Sequence, residues 1–331
     1  MTEVIKTSPA ELEKAGEVIK NGGLVVFPTE TVYGLGADGL NPDAVKSIFV
    51  AKGRPSDNPL ILHVSDMEMA EKIGEITDTA RKIMEKFWPG PITVIVEKKD
   101  IVPDNVTAGL DTVAIRMPAH PVARALIEAA GVPVAAPSAN LSGKPSPTAF
   151  RHAFDDMNGR VDVIIDGDSC DIGIESTVVD TTSEVPTILR PGGVTEKMLG
   201  EIFPEIAIEQ HKKEGTEGYK PKSPGMKYKH YAPDAQVILY KTTERLEADL
   251  EKYLSEGKKV GLFKREGSTV SAEIEIVWKD TEDLARRLFY SLRRFDELGA
   301  ETVLCQLPDK SGMWQGVYNR LYKSAGFDIR E

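Results

Sequence analysis

Two blocks of alternating strand-like and helix-like segments restrict this 331-residue chain to the α/β or α+β fold classes. In the first block, apolar runs such as LVVF (24–27), ITVIVEK (92–98) and STVVD (176–180) predict buried strands separated by helical patterns. The second block alternates strands and helices in the order expected for a parallel sheet. We therefore predict a twisted mixed sheet with helices, followed by a small Rossmann-like parallel α/β domain.

Between the two blocks lies a stretch rich in Lys, Gly, Pro and Tyr without a clear period. We place the first domain at 1–204, the linker at 205–234 and the second domain at 235–331. From Glu209 to Tyr231 the chain carries six lysines against three glutamates. A solvated linker and a functional segment both remain open interpretations of this basic stretch.

Charge and composition exclude several classes of protein. A formal net charge of −11 argues against nonspecific coating of nucleic acid, because phosphate repulsion opposes the approach. No apolar stretch approaches the roughly 20 residues that span a bilayer, so we expect no membrane partner. The first residues lack the pattern of a secretory signal, and Cys170 and Cys305 are too far apart in sequence to indicate a disulfide framework. We therefore expect a cytoplasmic protein.

Polar loops follow several of the predicted strands in the first block. The loop FPTETVYGLGAD (27–38) supplies Thr31 and two glycines that allow close backbone approach to a ligand, although a plain turn remains an alternative. Its pattern is not GxGxxG, and GxxxxGK[ST] is absent from the chain. The loop APSANLSGKPSPT (136–148) is rich in hydroxyls, but it lacks the GxSxG pattern of serine hydrolases. Ligation of an anion is the better interpretation of this second loop.

Cations lie at the ends of several predicted elements. Asn41-Pro42 predicts the start of a helix that runs to about Lys52 and ends at Gly53. Lys52 and Arg54 stand at the end of this helix, where compensation of the helix dipole is the simpler explanation. Arg116 and Arg190 end strands, where open α/β sheets bind their ligands. Together these side chains predict a substrate set rich in anions. His63 is compatible with a core role as well as a site role, and the histidine spacing does not indicate a metal site.

Taken together, the loops resemble the YrdC domain of the threonylcarbamoyl-AMP synthase family. The resemblance covers nearly all of residues 3–200 and rests on VVFPTETVYGLGAD, KGRPSDNPLILHV, AIRMP, APSANLSGKPSPT, ESTVVD and ILRPG, in the family's order. Downstream, SPGMKYKHYAP (223–233) resembles the linker of the long, two-domain form of the family. The resemblance implies a nucleotidyltransferase that converts L-threonine, bicarbonate or CO₂, and ATP into threonylcarbamoyl-AMP and pyrophosphate.

The resemblance also implies roles for individual residues. The family's catalytic tetrad falls on Lys52, Arg54, Ser138 and Asn140. By the same resemblance, threonine would be bound by Thr31, His63, Arg116 and Ser176. ATP would be bound by Lys52, Arg54, Asn58, Ser138, Asn140, Ser146, Arg190 and Tyr231, with Mg²⁺ carried by its phosphates.

The resemblance also predicts partners of the protein, and two alternative functions remain open. The resemblance implies a downstream complex that transfers the threonylcarbamoyl group to tRNA, and a direct contact with tRNA is a further expectation. The linker is expected to close over the nucleotide as a lid that carries Tyr231. The alternative function is a double-stranded RNA or tRNA-binding module without turnover. A carbamoyl-handling domain of hydrogenase maturation is the weakest alternative, because the chain lacks the acylphosphatase and zinc-finger regions expected there.

Overall fold

The computed structural model describes residues 1–56, 58–209 and 231–331 of the chain, which form two compact units. The first unit comprises Met1–Ser142, Pro147–Asp171 and the described residues from Glu175 to 209, and the second comprises Gly143–Ser146, Ile172–Ile174 and 231–331. The predicted domain boundaries remain predictions. Most of the predicted linker, 205–234, lies outside the described residues.

The first unit combines short strands with helices of moderate length. Its helices are α1 (Pro9–Lys20), α2 (Pro42–Lys52), α3 (Met67–Ile73), α4 (Asp78–Phe87), α5 (Asp104–Thr107), α6 (Pro121–Ala130), α7 (Phe150–Met157) and α8 (Glu196–Gly200). Its strands are β1 (Glu3–Ile5), β2 (Val25–Phe27), β3 (Gly34–Asp38), β4 (Ile61–His63), β5 (Gly74–Glu75), β6 (Ile92–Lys98), β7 (Thr112–Arg116), β8 (Val134–Ala135), β9 (Val163–Ile165), β10 (Thr177–Asp180), β11 (Thr187–Arg190) and β12 (Ala207–Ile208).

These strands form one mixed sheet. Within the described residues the order is β1-β9-β2-β3-β8-β4-β7-β6-β10-β11-β12, with β5 paired to β6 at the side of this path. Strand β4 is parallel to β7, whereas β6 is antiparallel to β7 and β3 is antiparallel to β2. The predicted mixed α/β sheet is confirmed. Its central strands β4, β7, β6 and β10 bring the ends of several polar loops side by side.

Helix α2 places the first pair of predicted cations. The side chain of Asn41 accepts hydrogen bonds from the backbone N–H groups of Asp43 and Ala44, and Pro42 occupies the first helical turn. Gly53 ends the helix in the left-handed conformation, with φ of 62°. Lys52 therefore lies in the last turn of the helix.

The predicted loop 27–38 is shorter in the structure, because its second half is strand β3. The sequence favours a loop since Gly34 and Gly36 are poor strand residues. In the structure Gly36 faces the ring of Phe27 on the paired strand, and a Cβ at this position would lie 2.8 Å from that ring. The glycine is thus needed for close packing within the sheet.

The second unit alternates strands and helices. Its elements are β13 (Gln236–Tyr240), α9 (Thr243–Ser255), β14 (Val260–Arg265), β15 (Ile274–Trp278), α10 (Thr281–Glu297), β16 (Thr302–Gln306), α11 (Trp314–Ser324) and β17 (Ile329–Arg330). The described strands pair in the order β15-β14-β16-β13-β17, and all of these pairs are parallel. This confirms the predicted small parallel sheet. Across the described ranges, every helix is too short or too polar to span a bilayer.

Candidate active site

Arg116, at the end of β7, is the centre of a buried polar cluster in the first unit. The side chain is 4% exposed. Its Nη1 donates to Thr31 Oγ1 at 2.9 Å, its Nη2 donates to Glu30 Oε1 at 2.6 Å, and its Nε donates weakly to the carbonyl of Gly90 at 3.4 Å. Two of the residues predicted to bind threonine, Thr31 and Arg116, are therefore in direct contact.

His63 lies beside this cluster on the neighbouring strand. It is directly opposite Arg116 in the register of β4 and β7, and its ring meets Phe27 edge-on at 6.3 Å between centroids. Burial, helped by the positive charge of Arg116, lowers the pKa of His63 to about 3. The Nδ1 atom is buried and has no hydrogen-bond partner in the described chain. His63 therefore presents a neutral imidazole.

We expect His63 to make the protein less stable in mild acid. An unfolded histidine takes up a proton near pH 6.5, whereas His63 in the folded state remains neutral down to about pH 3. The unfolded state thus binds more protons below pH 6.5, and stability falls as the pH falls through this window. Between pH 7.5 and 5.5 the contribution is about 1.4 kcal/mol. Urea denaturation at both pH values should show a smaller loss for His63→Gln than for the wild type. Equal losses in the two proteins would contradict the expectation.

Ser176 and Arg190 form a second part of the site, next to β6. Ser176 Oγ shares a 2.8 Å hydrogen bond with Thr93 Oγ1, and Arg190 Nη2 donates to the same Ser176 Oγ at 3.1 Å. Arg190 Nε also donates to the backbone carbonyl of Ser176 at 3.1 Å. A residue predicted to bind threonine is therefore in contact with one predicted to bind ATP.

Lys52 contacts two other residues of the predicted catalytic tetrad. Its buried Nζ donates to the carbonyl of Ser138 and, at 2.7 Å, to the carbonyl of Asn140. Ser138 Oγ in turn donates to Asn140 Oδ1 at 2.5 Å. Burial, together with the charge of Arg54, lowers the pKa of Lys52 to about 7, although the negative charges of Asp156 and Glu175 oppose this shift. Lys52 therefore holds in place the loop that carries Ser138 and Asn140.

Arg54 and Asn58 follow the end of α2. Arg54 Nη2 donates weakly to the carbonyl of Asn58 at 3.4 Å, and its guanidinium lies over the ring of Phe49 at 5.6 Å. The side chain of Asn58 is fully buried, and its amide nitrogen and oxygen have no hydrogen-bond partner among the described residues. An unpaired buried amide is costly, so Asn58 is a good candidate to bind a polar ligand.

The two groups of residues are connected through the backbone around Tyr33. The N–H of Tyr33 donates to the carbonyl of Pro147, and the N–H of Ala139 donates to the carbonyl of Tyr33, both at 2.8 Å. The loop with Thr31 and the loop with Ser138 therefore run side by side. Lys52, Arg116 and their neighbours belong to one polar region of the first unit.

Ser146 and Tyr231 are grouped with the second unit. Ser146 is buried in the short segment Gly143–Ser146. Tyr231 stacks on Phe289 of α10, with 5.0 Å between ring centroids, and has a positive φ of 67°. Their assignment to ATP binding stays a prediction, and most of the proposed lid lies outside the described residues.

Two further polar residues of this region were not predicted from the sequence. Glu30 pairs with Arg116, and Thr93 contacts Ser176. For Glu30 the sequence does contain a signal, because a buried cation such as Arg116 requires a counter-charge.

A separate cavity of about 920 Å³ lies in the first unit. Its lining includes Lys6, His120, Asp166 and Asp168, and it contains none of the predicted site residues. Burial lowers the pKa of His120, and the negative charge of Glu30 acts in the opposite direction.

Comparison with known proteins identifies the family. A Sua5/YciO/YrdC family model, described as "Telomere recombination", matches residues 17–192, and a model described as "Threonylcarbamoyl-AMP synthase, C-terminal domain" matches residues 194–326. The chain belongs to the threonylcarbamoyl-AMP synthase family. The resemblance inferred from the sequence motifs is thereby confirmed.

Similar proteins of this family match over nearly their whole length. The threonylcarbamoyl-AMP synthase of Pyrococcus abyssi is 46% identical, covering 95% of this chain and 94% of its own. That of Bacillus subtilis is 41% identical, covering 98% and 96%. The crystal structure of P. abyssi Sua5 complexed with L-threonine superposes with a TM-score of 0.95 at 42% identity, covering 99% of both chains.

Proposed function

We propose that the polar region of the first unit is the site at which threonylcarbamoyl-AMP is formed. The reaction joins L-threonine, bicarbonate or CO₂, and ATP, and it releases pyrophosphate. Membership of the threonylcarbamoyl-AMP synthase family supports this activity. Within this chain, the contact of the Thr31 loop with the Ser138 loop supports the location most directly, because it puts the threonine-binding and ATP-binding candidates side by side.

The proposed roles of the side chains follow from their chemistry. Arg116 would bind the carboxylate of threonine, and Thr31, His63 and Ser176 would surround the rest of the amino acid. In the first unit the proposed ATP ligands are Lys52, Arg54, Asn58, Ser138, Asn140 and Arg190, and the assignment of Ser146 and Tyr231 to ATP binding stays a prediction. We also propose that residues 1–204 form the catalytic domain and that residues 235–331 form a second domain.

The reaction needs positive charge more than it needs a covalent nucleophile. The threonine ammonium first loses a proton to solvent, and the free amine then adds to CO₂ with loss of a second proton to give a carbamate; when bicarbonate is the source, one water is also released. An oxygen of the carbamate attacks the α-phosphorus of ATP while pyrophosphate leaves. Two anions must therefore approach each other, and charge grows on the phosphoryl oxygens. Fixed cations and buried donors offset the repulsion and stabilise the transition state. Arg54 would supply this charge, and so would Lys52 in its protonated form, which the negative phosphates of ATP favour.

Magnesium and the downstream partners belong to the proposal as well. We propose that Mg²⁺ is held mainly by the phosphates of ATP, as this hard cation prefers oxygen ligands. The described residues contain no group of three or more His, Cys, Asp or Glu side chains suited to a metal, which is compatible with that arrangement. A cytoplasmic transferase complex would then receive the adenylate and modify tRNA.

An omission experiment tests the proposed function. The purified protein is incubated with threonine, bicarbonate, Mg²⁺ and ATP, and each component is left out in turn. We expect pyrophosphate release only with threonine, bicarbonate and ATP together, and detection of the mixed anhydride by mass spectrometry. Salt-sensitive tRNA binding without any turnover would instead support an RNA-binding module.

A further inference from the structure

Glu30 is a buried carboxylate with no assigned role. It lies in the loop between β2 and β3 and is 6% exposed. Its Oε1 accepts the 2.6 Å hydrogen bond from Arg116 Nη2, and the two side chains form an ion pair that is almost fully removed from solvent. Glu30 is therefore placed next to the guanidinium proposed to bind the threonine carboxylate.

The second oxygen of Glu30 is not used by the ion pair with Arg116. Oε2 is buried and has no hydrogen-bond partner in the described chain. Burial alone would raise the pKa of Glu30, but the charge and hydrogen bond of Arg116 outweigh it and lower the pKa, so the group is ionised at neutral pH. The backbone N–H groups of Glu30 and Ala119 also lower the pKa of this carboxyl, but neither makes a hydrogen bond of normal geometry to Oε2. A buried carboxylate oxygen that lacks such a hydrogen bond is unfavourable, and a cationic donor would satisfy it.

Arg116 also has N–H groups that make no hydrogen bond to the described residues. A guanidinium carries five N–H groups, and the contacts with Thr31, Glu30 and Gly90 use three of them, which leaves two. The positive charge of Arg116 and the negative charge of Glu30 cancel, and His63 is neutral. The cluster of described side chains therefore has no net charge, and it contains one unpaired acceptor, Glu30 Oε2, together with two unused N–H groups of Arg116.

These charges are complementary to an amino-acid zwitterion. The ammonium and the carboxylate of an α-amino acid are attached to the same carbon, so they require an acceptor and a donor close together. We propose that Glu30 binds the α-ammonium group of threonine through Oε2 while Arg116 binds the carboxylate. This inference rests on the proposed function, because it takes the Arg116 cluster as the amino-acid site.

Glu30 would thus select a substrate with a free, protonated amine and fix its position before carbamate formation. The attraction is strongest for the ammonium form and weakens once the amine becomes part of the carbamate. Loss of Glu30 should therefore raise the KM for threonine more than it lowers kcat.

The test compares two ligands by isothermal titration calorimetry. One is L-threonine, and the other is (2S,3R)-2,3-dihydroxybutanoate, in which a hydroxyl replaces the ammonium. The wild type should bind threonine about tenfold to a hundredfold more tightly, the range for a hydrogen bond to a charged group. Glu30→Gln should lose this preference, with weaker threonine binding and little change for the hydroxy acid. Equal weakening of both ligands would mean that Glu30 only holds Arg116, and would overturn the inference.

Controls separate the possible failures. Asp249→Asn removes another buried carboxylate that pairs with an arginine, Arg330, but in the second unit, and it should leave the preference intact. If Glu30→Gln does not fold, the wild type still decides, since similar affinities for both ligands would refute the role of Glu30. Absence of any threonine binding to the wild type would refute the proposed function itself.

Discussion

Lys52→Ala is expected to reduce threonylcarbamoyl-AMP formation by about a hundredfold or more, the loss seen when a transition-state charge stabiliser is removed. The structure adds a second reason. The ammonium of Lys52 holds the carbonyls of Ser138 and Asn140, so the substitution also releases the loop that carries both residues. We expect a loss of similar size for Arg54→Ala, which removes the neighbouring cation. Threonine-dependent pyrophosphate release measures the effect.

A matched lysine in the second unit separates the loss of catalysis from a general loss of stability. Lys264 is also buried, and its Nζ donates to the carbonyl of Val270 at 2.6 Å and pairs with Glu275. Lys52→Met and Lys264→Met remove the same group from comparable environments. Only the Lys52 variant should lose activity at a temperature where both proteins are folded. Near-normal pyrophosphate release by Lys52→Met would refute the proposed role.

Arg116→Ala is expected to reduce the free energy of unfolding by about 3–5 kcal/mol, because it leaves the carboxylate of Glu30 buried without its partner. The same substitution should abolish detectable threonine binding, since it removes the proposed carboxylate ligand. Urea denaturation at pH 7.5 measures the first effect, and calorimetric titration with threonine measures the second.

The double variant Arg116→Ala/Glu30→Gln distinguishes the two effects. Replacing the carboxylate by a neutral amide removes the uncompensated charge, so most of the lost stability should return. Threonine binding should not return, because the guanidinium is still missing. If the single variant Arg116→Ala were as stable as the wild type, the ion pair would not be the buried, mutually dependent pair described above.

Much of the fold was accessible from sequence. Strand β6 and helix α2 coincide closely with their predicted ranges, because apolar runs, an Asn-Pro start and a terminal glycine are strong local signals. Strand β3 was missed because its glycines serve packing against Phe27, a partner that only the folded sheet reveals. The order of strands was not predictable either, since β8 lies between β3 and β4 although it comes much later in the chain.

The candidate site, like the fold, was only partly predictable from the sequence. Motifs marked the cations and hydroxyls, and the structure brings Thr31 to Arg116 and Lys52 to the Ser138 loop. Glu30 and Thr93 escaped prediction because their importance lies in their partners, which are distant in sequence. Local patterns indicate which groups are reactive, whereas the groups that neutralise and orient them emerge from the fold.

The hydrogen bonds between Arg190 and Ser176 provide a route by which the binding of one substrate affects the binding of the other. If Ser176 touches the amino acid and Arg190 touches the nucleotide, occupancy at one place alters the energy of the other through a hydrogen bond of the protein itself. Thermodynamic linkage makes such cooperativity mutual: the factor by which threonine changes the affinity for ATP equals the factor by which ATP changes the affinity for threonine.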